Sequence, residues 1–253
     1  MSNMMTQAAA DRCFLGSFLS EIAAPNIIRV FHACGLDFVI IDCEHGAFDY
    51  SQAAALAAVG NGIKLPIFVR IPSVSREPIQ KYLDAGVDGL VIPMMESPEM
   101  AEEAVSYAKY APLGRRGAST MRPHSEYNPG KLADYMEKAN RRTMVMAQIE
   151  TQEGLRNSAK IILTKGLDGL FIGPNDLSID FGIPGEFRTP DMENAVRTIA
   201  GVCREAGKIS GAISSDMAYL KWCRSEGMRL FSCNSEVGLL AQRVKSMMGE
   251  FTI

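Results

Sequence analysis

The sequence predicts an α/β fold in which eight parallel strands, each followed by a helix, close into a (β/α)8 barrel. Three observations carry that prediction. Short apolar runs alternate with longer helical patterns along the whole chain, which is how parallel strands joined by crossover helices read. Several of those runs are apolar throughout, as burial on both faces of a strand requires. A repeated phrase, a helix end, a glycine and two residues leading into a strand, occurs at Gly35-Leu36-Asp37, Gly86-Val87-Asp88, Gly166-Leu167-Asp168 and Gly227-Met228-Arg229. Glycine closes a helix in the left-handed conformation without a Cβ penalty.

Taken in order, the first strand is expected over 14–19 and the second over 38–42, where an unbroken apolar run ends abruptly in Asp42. The third, 66–70, ends in Arg70, and the fourth covers 89–93. A loop rich in Gly, Pro and Arg at 111–118, between a helix ending near Lys109 and one starting near Lys131, precedes the fifth strand, 144–149, which leads into Glu150. The sixth, 169–172, opens a second long loop, 173–190; the seventh and eighth are expected over 209–212 and 230–233. Both loops are read as following strands, where barrel enzymes place their chemistry. The length of 253 residues suits a single domain spanning 1–253, because such barrels run to about 250 residues. An open doubly wound sheet is the rival fold, but the G-x-G-x-x-G turn of its dinucleotide-binding form is missing.

The formal charge of −3 argues against a nucleic-acid or anionic-membrane partner, since both need a basic field. Residues 1–10 are polar and lead into Asp11 and Arg12, so no signal peptide is expected, and no apolar run approaches a membrane span. Cys13, Cys34, Cys43, Cys203, Cys223 and Cys233 are scattered without a C-x-x-C pair. Reduced thiols in a cytoplasmic protein that handles a small molecule are the expectation.

The strand ends carry a short set of polar groups: Asp42, Glu44 and His45; Arg70; Glu96; Gln148 and Glu150; Asn175 and Asp176; Ser214 and Ser215; Asn234 and Ser235. Charge at the end of a buried strand needs a partner or a ligand. Glu150 and Asp176 follow consecutive strands, so their carboxylates can converge into a site for a hard cation, or each can cap a helix. Asp42 stands three residues before His45 and could orient its imidazole as a base, against a plain loop histidine bonded to backbone. Arg70 could bind a carboxylate or an enolate oxygen, or form a rim salt bridge. No lysine falls in or just after the expected strands, which removes Schiff-base chemistry and leaves a metal as the electron sink.

Four segments, 35–46 ending in Asp42-Cys43-Glu44-His45-Gly46, 112–117, Gln148-Ile149-Glu150-Thr151 and 169–178 with Gly173-Pro174-Asn175-Asp176, resemble the HpcH/HpaI family of class II pyruvate aldolases in order and spacing. The resemblance runs from about residue 15 to about residue 240. It implies a TIM barrel, a cytoplasmic lyase, and a hexamer built as a trimer of dimers with the C-terminal helix exchanged between subunits. It implies Glu150 and Asp176 as ligands of a divalent metal, Mg2+, Mn2+ or Co2+. Arg70 would contact the pyruvyl oxygen, Gln148 would line the site, and backbone N–H groups of Gly173, Pro174 and Asn175 would receive the substrate carboxylate. Asn175 stands where many members carry a smaller residue. Asp42 and His45 would serve the acid/base steps, with Asp84 reaching the site of an adjacent subunit. The implied reaction is reversible aldol cleavage of a 4-hydroxy-2-oxo acid to pyruvate and an aldehyde through a metal-held pyruvate enolate. Oxaloacetate decarboxylation or another pyruvate-enolate reaction is the near alternative, and a catalytically silent barrel that binds a 2-oxo acid the remote one.

Overall fold

In a computed structural model of the protein, residues 12–252 are described; the polar N-terminal stretch and the outer ends of the expected 1–253 domain lie outside them. Eight strands form: β1 Phe14–Leu19, β2 Phe38–Asp42, β3 Ile67–Arg70, β4 Gly89–Ile92, β5 Met144–Ile149, β6 Gly169–Ile172, β7 Ile209–Ser214 and β8 Leu230–Ser235. Each pairs in parallel with the next, and β8 returns to β1, so the barrel closes. The α/β barrel expected from the sequence is the fold observed.

The unbroken apolar strands have a direct reading. In β2, Phe38 and Ile40 join an inner layer with Phe14, Phe68, Met146 and Phe171, whereas Val39 and Ile41 join the outer layer that meets the helices. Alternate side chains of one strand thus enter two different cores, and neither face can be polar. Phe38 and Phe68 pack edge to face inside the barrel, 5.6 Å between centroids.

Four strand bounds differ from expectation, each for a local reason. β3 begins after Pro66, which has no N–H to donate, and β4 stops before Pro93. β7 and β8 run two residues further than their apolar runs, to Ser214 and Ser235. There the pairing of β8 with β1 shifts register between Gly16 and Phe18, and Asn234 adopts φ 62. Serine and asparagine are poor strand formers, which hid these extensions in the sequence.

The described residues form ten α-helices: α1 Asn26–Ala33, α2 Tyr50–Ile63, α3 Arg76–Asp84, α4 Pro98–Ala108, α5 Leu132–Arg142, α6 Gln152–Ile161, α7 Pro174–Asp180, α8 Pro190–Glu205, α9 Met217–Ser225 and α10 Glu236–Thr252. Asp49 and Gln52 form a capping box on α2, and Ser97, Thr151, Thr189 and Asp216 cap α4, α6, α8 and α9. The repeated glycines end helices as expected, with φ of 88°, 94°, 93° and 102° at Gly35, Gly86, Gly166 and Gly227. None of the helices is long and apolar enough to cross a membrane among the described residues.

Two features depart from a simple barrel. The loop at 111–118 follows α4, not a strand, because α5 is inserted before β5. It therefore lies at the N-terminal end of the barrel, away from the βα loops. α10 buries only its first residue, Glu236, and leaves Leu240, Val244, Met247, Met248 and Phe251 exposed. Phe251 is 88% exposed. An apolar helix with no core to meet is unsatisfied within one chain.

Candidate active site

The C-terminal ends of the strands surround a cavity of about 280 Å³. The barrel brings Asp42, Arg70, Gln148, Glu150, Gly173, Pro174, Asn175 and Asp176 to its lining. His45 and Asp84 are not in that lining.

On one side, parallel pairing sets Asp42 directly beside Arg70. The carboxylate accepts two bonds from the guanidinium, 3.0 Å from Nε and 2.6 Å from the terminal nitrogen, and Glu44 lies 3.2 Å from Nε. Phe18 of β1 carries the guanidinium over its ring at 4.8 Å. Arg70 is thereby fixed as a planar cation at the cavity wall. This geometry answers one expectation differently. Asp42 meets His45 only through its backbone N–H, at 3.3 Å, and its oxygens are otherwise engaged by Arg70 and the Glu44 N–H; the imidazole is on the exposed rim.

Glu150 occupies the other side. Its side chain is almost fully buried, accepts the Met94 N–H at 2.8 Å and receives the Gln148 amide at 2.7 Å. Met94 holds φ 48, a left-handed conformation uncommon for a non-glycine residue, and so aims its N–H at the carboxylate. A Cβ on Gly173 would sit 2.6 Å from a Glu150 oxygen, so only glycine lets β6 approach this acid. Glu150 is not a helix cap, because the Thr151 hydroxyl takes that place by accepting the Gly154 N–H at 3.1 Å. Burial pushes the Glu150 carboxyl up to about 7 from its ordinary 4.5; the Met94 bond opposes the shift, and Glu44 and Asp176 add to it. Burial likewise raises Glu44, against the pull of Arg70 and His45.

Asp176 lies in the first turn of α7, on the exposed side of the cavity. Of the backbone groups expected to receive a carboxylate, the Gly173 N–H is bonded to Ile149 O at 3.0 Å and Pro174 has none. The first-turn N–H groups of Asn175 and Asp176 are the ones left to donate. Gln148 Oε1 is buried with no protein partner, so the site holds one polar atom that the fold alone does not satisfy.

Asp84 ends α3, five residues before β4 begins, and so lies at the opposite end of the barrel from its own cavity. Its carboxylate is bonded to buried Arg116 at 2.8 Å and approaches His124 at 3.5 Å.

Sequence reasoning passed over two groups. Met94 gave no signal, because its role lies in a backbone angle. Glu236 was readable as the acid straight after β8. It is buried and accepts the N–H groups of Ser20, Glu21 and Ile22 at 2.6–3.0 Å, which ties the loop after β1 to the start of α10. Among the described residues no cluster of three or more His, Cys, Asp or Glu side chains forms a metal cage by itself.

With this geometry in hand, comparison with known proteins is specific. The HpcH/HpaI aldolase/citrate lyase family profile matches residues 16–242. The chain is 31% identical over 248 residues to 5-keto-4-deoxy-D-glucarate aldolase of Escherichia coli O6:H1 (strain CFT073), covering 96% of this chain and 94% of that protein. The HpcH/HpaI aldolase of Desulfitobacterium hafniense DCB-2 superposes with a TM-score of 0.93 at 28% identity, over 98% of this chain and 96% of that one. The citrate synthase SbnG gives 0.88 at 29% identity, over 99% and 97%. A match over so much of the barrel means that this chain belongs to the HpcH/HpaI aldolase/citrate lyase family.

Proposed function

We propose that the chain catalyses reversible aldol cleavage of a 4-hydroxy-2-oxo acid to pyruvate and an aldehyde, with a divalent cation held by Glu150 and Asp176. The observation that carries this reading is the convergence in one cavity of a buried carboxylate, a second exposed carboxylate and a fixed guanidinium. The donor set suits a hard cation such as Mg2+, Mn2+ or Co2+: two carboxylates, one of them buried and without a direct ion pair among the described residues, and the unpartnered Gln148 oxygen nearby. Such a cation, when bound, supplies Lewis-acid charge that draws electrons from the 2-oxo group.

The chain's own residues do the rest. Asn175 and Asp176 N–H groups at the start of α7 receive the substrate carboxylate, and Arg70, locked by Asp42 and Glu44, faces the oxygen on which negative charge builds. Preorganised charge of this kind acts without reorganising during the reaction. His45 takes the C4 hydroxyl proton at the rim as the C3–C4 bond breaks. The resulting pyruvate carbanion equivalent is protonated at C3. Decarboxylation of oxaloacetate is the second reading, and one observation favours it: the His45 imidazole stands outside the cavity lining, and loss of carbon dioxide needs no hydroxyl-directed base.

The same reading extends to assembly. An exposed apolar α10 and an Asp84 that faces away from its own cavity fit a hexamer, a trimer of dimers, in which α10 packs on a neighbour and Asp84 approaches a neighbour's site.

Four outcomes follow. Pyruvate methyl protons should exchange for deuterium in the presence of Mg2+ or Mn2+, followed by NMR, and exchange should vanish with chelator and in Glu150→Gln; no exchange with any divalent cation would sink the enolate reading. His45→Ala should lower aldol cleavage at least about tenfold more than oxaloacetate decarboxylation. Equal losses would remove His45 from the base role.

The third outcome is set by Glu150. Between about pH 4.5 and about pH 7 the folded chain keeps a proton that the unfolded chain has released, so the metal-free protein loses stability as pH rises through that window and levels off above it. The total is up to about 3 kcal/mol. Calorimetry in chelator should show this fall, and Glu150→Gln should flatten it; an unchanged profile in the variant would assign the proton elsewhere. Finally, Leu240→Glu combined with Met247→Glu should reduce the sedimenting mass while circular dichroism stays native. A wild-type chain that sediments as a monomer would rule out the exchanged helix.

A further inference from the structure

Between the acids on β5 and β6 and the Asp42–Arg70 pair on β2 and β3, the cavity wall is made by the ends of β7, β8 and β1. It carries Ser214, Ser215, Asn234 and Ser235, with Ser20 beside them. In a barrel of eight strands, β8 and β1 face the Glu150 strand across the axis. The part of the substrate beyond C3 therefore points toward this wall when the pyruvate half sits at Glu150 and Arg70.

The hydrogen bonding of the wall decides what it can recognise. Ser214 Oγ accepts the Asp216 N–H at 3.1 Å, and Ser235 Oγ accepts the Gly238 N–H at 3.3 Å. Each hydroxyl keeps its proton to give. Asn234 Oδ1 accepts the Ser235 N–H at 2.9 Å, which leaves the two amide protons as its offering. This arrangement is built in rather than incidental. Asn234 holds φ 62, its carbonyl is bonded by Ser17 Oγ at 3.2 Å, and a Cβ on Gly238 would fall 1.9 Å from Asn234 Oδ1. Asparagine is among the few side chains that tolerate that backbone conformation, and glycine at 238 gives its amide room.

The charge on the wall is equally selective. Among the described residues lining the cavity, Arg70 is the one cation, and it is already paired with Asp42 and Glu44. Asp42, Glu150 and Asp176 are the acids of the lining. With a divalent cation bound as proposed, its charge and that of Arg70 only balance these three acids, and the substrate's own 1-carboxylate already uses the cation, so a second carboxylate would find no uncommitted positive group.

We infer that the aldehyde partner is a neutral hydroxyaldehyde, whose hydroxyl oxygens accept hydrogen bonds from Ser214, Asn234 and Ser235. This rests on the pyruvate-enolate reading and names the substrate class for the same site. In the synthetic direction the methyl carbon of pyruvate loses a proton and forms the C3–C4 bond with the aldehyde carbon, and the carbonyl oxygen takes a proton to become the C4 hydroxyl. The wall contacts only oxygens further along the aldehyde. An alkyl aldehyde leaves those donors unpaired, and sites built to bond a hydroxyl reject analogues that lack it.

The test is condensation of pyruvate with glycolaldehyde, propanal or glyoxylate, with Mg2+ or Mn2+ and the wild-type protein, alongside deuterium exchange into pyruvate. Glycolaldehyde and propanal have nearly the same size and differ in one hydroxyl, while glyoxylate adds a charge. The expected result is a kcat/KM for glycolaldehyde at least about tenfold above both others. Asn234→Asp keeps the Oδ1 acceptor and the backbone tolerance but removes the amide protons, so the glycolaldehyde-to-propanal ratio should fall several-fold. That ratio is taken within one variant, so a general loss of activity cancels. Propanal used as well as glycolaldehyde, glyoxylate preferred to both, or an unchanged ratio in Asn234→Asp overturns the inference while exchange continues. Absence of exchange in the wild type overturns the enolate reading and this inference with it.

Discussion

The site is organised around one buried carboxylate. Glu150 leaves the end of β5, takes the N–H of Met94 just after β4, and packs so closely on Gly173 just after β6 that no side chain fits there. Three consecutive strand ends are thus joined at one acid. Moving Glu150 would disturb the left-handed turn at Met94 and the entry to α7, and with it the N–H groups that start that helix. Burying such a group without a full counter-charge is unfavourable, and the rest of the structure supplies the compensation: stiff barrel strands, a helix cap delegated to Thr151, and a Gln148 amide at 2.7 Å.

Much of this was legible in the residues. An apolar run that ends in Asp42, Arg70 or Glu150 states that a buried strand delivers charge to one end of the barrel, and the helix-ending glycines give the register of the αβ turns. What could not be read was the pairing of the charges. Asp42 stands near His45 in sequence, yet parallel strands bring it beside Arg70, because lateral neighbours in a sheet are remote along the chain. The extensions of β7 and β8 were hidden for another reason: Ser214, Asn234 and Ser235 have weak strand propensity, and a register shift and a positive φ keep them in the wall. The loop at 111–118 is read from the sequence as following a strand although it joins two helices, α4 and α5, and so belongs to the opposite end of the barrel from the βα loops.

Polar chemistry is split between the two ends of the barrel. The C-terminal end holds the cavity, and the N-terminal end holds Asp84 bonded to Arg116, with His124 3.5 Å from the same carboxylate. Glu236 links the cavity to the periphery. It anchors the loop that presents Ser20 to the cavity, and it is also the first residue of the exposed α10. The start of that helix and the rim of the site are therefore joined by charge-assisted bonds. The connection is physical and short, with no chain of intermediate side chains.

The balance at Glu150 between proton and cation also fixes how the site responds near neutrality. With its carboxyl pushed up to about 7 by burial, the metal-free site keeps a proton there well above the usual carboxylate range. A cation held there as proposed would have to displace that proton, so its apparent affinity would fall as pH drops below about 7. A deeper burial would raise that penalty, and a fully solvated acid would remove it but give up the low-dielectric setting in which Arg70 acts strongly on developing charge. Burial raises the value most, the Met94 bond and the charge of Arg70 pull it down, and the charges of Glu44 and Asp176 push it up. The acid is left with a proton that a cation, bound as proposed, would displace at little cost near neutral pH.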